Sequence, residues 1–133
     1  MQKLLLVLCF FISFFQSSIC SGQTRIFRAE LEGSYFFGKF SPRKPSKILV
    51  VIDYTLGQMT VHTSPVQKYF FVHHDGMRID EVSGQSYSSS IWIDLSGKSF
   101  TMNKYYNTDG YDLWLWVHES KDMAKCYALR LVN

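Results

Sequence analysis

The chain has little that could staple, catalyse or span. Cysteine occurs three times, at Cys9, Cys20 and Cys126. Two of these lie in an amino-terminal leader, so the rest of the chain has no internal disulfide and must rely on a hydrophobic core. Proline occurs three times, at Pro42, Pro45 and Pro65, all outside the apolar runs. The formal net charge is +3 and falls by one without Lys3, too mild to point to nucleic acid or an anionic membrane as partner. After the leader, no segment sustains a helical period, and no apolar run reaches the roughly 20 residues of a transmembrane helix. There is no phosphate-cradling glycine loop. Gly84 to Ser88 lacks the second glycine of a hydrolase nucleophile elbow, and no cofactor is implied.

The leader explains part of the apolar content. Lys3 supplies a positive start, Leu4 to Phe15 is an uninterrupted apolar run, and Gln16 to Gly22 is a short tail of small and polar residues. This is the pattern of a cleaved secretory signal over residues 1–22, followed by one domain over 23–133, in a secreted or periplasmic protein. A lipid anchor on Cys20 is the alternative, and Ile19 stands where that pattern wants a small residue. With Cys126 alone in the exported chain, a disulfide-linked dimer is conceivable. However, Cys126 shares a strand face with Ala124 and Ala128, which favours a small buried hydrophobe.

What remains is a succession of short β-patterned segments: 25–31, 47–53, 58–63, 68–73, 88–94, 98–106, 111–118 and 124–132. Between three of them the same chemistry recurs. Asp53 with Gly57, Asp80 with Gly84 and Asp94 with Gly97 each follow an isoleucine and precede a polar residue. The aspartate caps the turn and the glycine takes the positive φ that closes it. Asn107 to Gly110 closes a further hairpin. The expectation is all-β, a small antiparallel barrel or sandwich of about eight strands with a carboxy-terminal meander.

Three groups of residues are candidates for function. Trp114, Trp116 and His118 share one face of a strand whose other face is Tyr111, Leu113, Leu115 and Val117. Both faces are apolar, so the indoles pack in the core, line a lumen or form a platform, with Tyr105 and Tyr106 widening it. The segment from Lys39 to Lys47 carries Lys39, Arg43, Lys44 and Lys47 with no acidic residue, and is expected as an exposed loop offering an anion contact. The histidines His62, His73, His74 and His118 are metal candidates only if three strands converge. "FFVHHDG", residues 70–76, is expected to be a strand ending in an Asp75-Gly76 turn. His118 and Glu119 begin a fragment of a zinc-hydrolase motif, but that motif needs a helix and this stretch is strand-like. The expected function is an exported, non-catalytic β-domain binding a small molecule, glycan or protein partner through an aromatic surface. The alternative is a metal-binding protein or metal-dependent hydrolase.

Overall fold

The computed structural model describes residues 24–132; Cys9, Cys20 and the expected signal sequence and cleavage region lie outside them. Eight antiparallel strands close into a barrel: β1 (Thr24–Phe36), β4 (Leu49–Asp53), β5 (Gln58–Val61), β6 (Gln67–Ile79), β7 (Ser86–Asp94), β8 (Ser99–Thr108), β9 (Tyr111–Ser120) and β10 (Met123–Leu131). Each pairs with the next, and β10 returns to pair with β1 from Phe27 with Leu131 to Phe36 with Met123. Two short strands, β2 (Lys39–Phe40) and β3 (Lys44–Pro45), fold back on the second half of β1. Among the described residues no helix is long and apolar enough to cross a membrane.

The expected turns form as the sequence implies. Asp53 accepts from the amides of Thr55 and Leu56, Asp80 from Val82 and Ser83, and Asp94 from Ser96 and Lys98. Each is followed by a glycine with φ between 64° and 86°. These bonds join residues only two to four apart, which is why the turns were legible locally.

Strand alternation then sorts side chains between lumen and exterior. Ile52, Met59, Met102, Leu113, Leu115 and Leu129 fill the lumen with no exposure, as expected where eight strands leave a space just wide enough for side chains. Trp114 and Trp116 point outward. The tryptophan face is therefore neither lumen nor main core.

Two stretches depart from expectation. Strand β1 carries a bulge between Ala29 and Leu31. Phe27 and Ala29 face the lumen, while Leu31 joins the outer cluster around Trp114, Cys126 and Ala128. The bulge explains why neither face of 25–31 reads as clean. Strand β6 does not end at Asp75-Gly76. It runs to Ile79 through two bulges, one between Phe71 and His73 and one between His74 and Gly76. The extra residues let the strand bend without breaking its ladder to β7.

The basic segment also differs from a loop. Pairing of β2 and β3 with β1 makes Lys39 to Pro45 a strap along the free edge of β1, from which Phe40 and Arg43 reach across the outer face to Trp116 and Trp114. The strap approaches closely at Gly33, where an added Cβ would lie 3.2 Å from Cys126 Sγ and 3.3 Å from Arg43 Cγ. Cys126 is only 2% exposed, and burial pushes its thiol pKa up. Gly33→Val should therefore lift the strap, cost about 1–3 kcal/mol in chemical denaturation, and make Cys126 react faster with a thiol reagent in the folded protein. Unchanged reactivity would mean that the strap does not shield the thiol.

Candidate functional site

The outer face of β8 and β9 carries an aromatic ladder. Tyr105 pairs with Trp114, and Tyr87 on β7 stacks on Tyr105 with ring centroids 4.9 Å apart. Tyr111 meets Trp114 edge to face at 5.6 Å. One row away, Trp116 lies between His118, stacked at 6.1 Å, and Phe40 of the strap, edge-on at 6.1 Å. Such offset and edge arrangements satisfy the ring quadrupoles and hold the side chains in fixed orientations.

The strap and the β6–β7 turn make this ladder concave. Arg43 lays its guanidinium over the Trp114 ring, 4.4 Å from its centroid, a cation–π contact that also covers the indole. From the other side, Asp80 accepts from the Tyr105 hydroxyl at 3.2 Å, and Gln85 donates to the Thr108 hydroxyl. A pocket of about 180 Å³ lies between them, with Arg43, Asp80, Gln85, Tyr105, Trp114 and Trp116 among its lining residues. Amides of Ser83 and Val82, then the Tyr105 hydroxyl, hold Asp80 below the usual carboxylate range. Burial, and next the Asp80 charge, push the Tyr105 phenol well above its ordinary value. The pair is thus a fixed carboxylate and a neutral phenol at neutral pH.

Trp114 is 4% exposed, and its indole N–H is buried without any hydrogen-bond partner. An unmet donor of this kind costs about 1–3 kcal/mol.

The predicted site residues are thus divided. Trp114, Trp116 and Tyr105 share the outer face. Tyr106 does not: it pairs with the lumen residue Leu113, because its odd-even position in β8 is opposite to that of Tyr105. Among the four cations, Arg43 reaches the indole, whereas Lys44 pairs with Glu32 at 3.4 Å, and Lys39 and Lys47 are exposed. The histidines do not gather. His73 and His74 lie on the exposed part of β6 opposite Ile91 and Ser90, His62 follows β5, and His118 is stacked on Trp116, with its pKa lowered by burial. Among the described residues, no three His, Cys, Asp or Glu side chains are placed to hold a metal ion.

Sequence reasoning missed Tyr87, read Asp80 only as a turn cap, and put Tyr111 on the face opposite Trp114, whereas at the end of β9 its ring packs against that indole. Alternation places Tyr87 on the outer face of β7, so a period-2 reading of residues 86–94 would have found it. Compared with family models, with curated proteins and with solved structures, the chain matches none. The pocket's own chemistry carries the functional reading.

One further group was not anticipated. Lys104 faces the lumen and is only 6% exposed, with its ammonium 5.4 Å from the Tyr54 ring centroid and 5.7 Å from that of Trp92. Burial lowers its pKa from 10.5 to about 8; the ring faces offset part of the desolvation. Below pH 8 the amine is charged in both states, and the folded state bears the penalty. Between about 8 and 10.5 the unfolded chain binds the proton that the folded chain has released, so this group's contribution to stability rises with pH. Lys104→Met should therefore be more stable than the parent at pH 7, on the order of 2 kcal/mol, with the difference narrowing as pH rises through that window. Urea titrations of both proteins at several pH values check this, and a pH-independent difference would contradict it.

Proposed function

We propose that the protein is an exported, non-catalytic β-barrel binding module whose outer aromatic pocket takes a polyhydroxylated ligand, a sugar ring being the best fit. The observation that carries this is a pocket of aromatic walls and polar rim lined by Trp114, whose buried indole N–H has no hydrogen-bond partner. Indole and phenol faces pack against the C–H faces of a sugar, and a small number of placed polar groups fix its orientation. Asp80, Gln85 and Thr108 supply acceptors and donors at the rim, and a ligand oxygen reaching the indole as Arg43 shifts would recover the cost of the unmet donor. The low pKa of Asp80 suits a hydrogen-bond acceptor and not a general acid. Export rests on the leader sequence.

The test is titration of a panel of neutral mono- and oligosaccharides while following the indole N–H resonances of the three tryptophans. A binding sugar should shift the Trp114 resonance most. Trp116→Ala and Asp80→Asn should each weaken binding about tenfold or more, equivalent to about 1.4 kcal/mol, with circular dichroism unchanged. If no sugar moves the Trp114 resonance, or if both variants bind as the parent does, the reading fails.

A further inference from the structure

We propose that the open mouth of the barrel is a second binding site, for a compact aromatic monoanion such as an aryl carboxylate, distinct from the outer pocket and independent of what that pocket binds.

The opening follows from strand lengths. Strands β1 and β6 have 13 residues each, whereas β4 and β5 between them have 5 and 4. Beyond Arg28, β1 no longer pairs with β4, and its free edge is taken by the short strap strands. The wall is therefore low on this side, with Thr63 and Gln67 as its lip. A pocket of about 460 Å³ opens there, within the size range of small-molecule sites. A neighbouring depression of about 390 Å³ beneath the strap shares Ser34, Thr63, Lys125 and Tyr127 with it.

The lining specifies the ligand. Tyr69, Phe100, Val117 and Tyr127 form an apolar, largely aromatic surface, with Tyr69 and Phe100 already edge to face at 5.1 Å. Deeper in the lumen Met102 and Leu115 have no exposure, so the site is shallow and a long acyl chain has nowhere to thread. Burial raises the pKa of both phenols, so they remain neutral in the lining.

The charges at the mouth are unequally engaged. Glu32 pairs with Lys44 and Glu119 with Lys98. Asp94 is drawn into its own turn by the Ser96 hydroxyl and by the amides of Ser96 and Lys98. Lys125 lines both depressions, shares inward parity with Tyr127, and among the described residues makes no ion pair. It is the cation left to meet an acidic head group, while the rings meet the body.

Calorimetric titration of the exported protein with naphthalene-2-carboxylate, its neutral amide and dodecanoate tests this. The carboxylate should bind about tenfold tighter than the amide, the scale of one charge-assisted hydrogen bond, and tighter than dodecanoate. It should shift the resonances of Phe100 and Val117. Lys125→Met, an exposed substitution, should abolish the preference for the charged form, and Trp116→Ala should leave carboxylate binding unchanged. Equal binding of acid and amide, a preference that survives Lys125→Met, tighter binding of dodecanoate, loss of binding in Trp116→Ala, or no binding of any probe would each overturn the proposal.

Discussion

Pairing of the first barrel strand with the last is the constraint on which the remaining structure depends. Strands β1 and β10, the first and last in the described chain, meet along a ladder from Phe27 with Leu131 to Phe36 with Met123. Closure removes the two edges an open sheet would expose and gives the lumen its walls. The same pairing brings Gly33 beside Cys126 on the outside, creating the shallow spot where the strap lies down. Arg130, from β10, fastens the lower end through Glu30 of β1 at 2.8 Å and the Gly110 carbonyl at 2.9 Å.

Once closed, the barrel uses alternation to separate two kinds of surface on the same strands. In β9, leucine and valine side chains stabilise the lumen, while the tryptophans between them are left to the outer face. Trp114 is buried there by Arg43 and its aromatic neighbours. A small barrel can then carry an aromatic pocket without opening its core. The lumen keeps a separate mouth because β4 and β5 are too short to wall it, so the two concave regions arise from different features of one topology.

Much of the fold was legible because its determinants are local. The eight segments read as strands correspond to the eight barrel strands, and the three aspartate–glycine turns close as their spacing implies. The rest depended on distant partners or on added residues. Glu30 reverses the faces of β1, so Leu31 reads as core with Phe27 but packs outside. Val72 and Asp75 are the extra residues in β6, so "FFVHHDG" reads as a strand end but lies within a bulged strand. Of the candidate site, Trp114, Trp116 and Tyr105 were legible from strand parity, and Tyr106 was misplaced by grouping it with its neighbour. That Arg43 lies on Trp114 was not legible. It follows from pairing of Lys44 and Pro45 with β1, which neither the prolines nor the charges of that segment announce.

The most direct test of this account is native-state hydrogen exchange of the amides shared by β1 and β10. Closure as the organising constraint predicts that Arg28, Ala128 and Arg130, whose amides face the seam, exchange only through global unfolding, with protection equal to that of Leu113 and Leu115 and the same dependence on denaturant. Faster exchange of the β1 amides through a local opening, with β8 and β9 still protected, would show that the sheet stands without its seam.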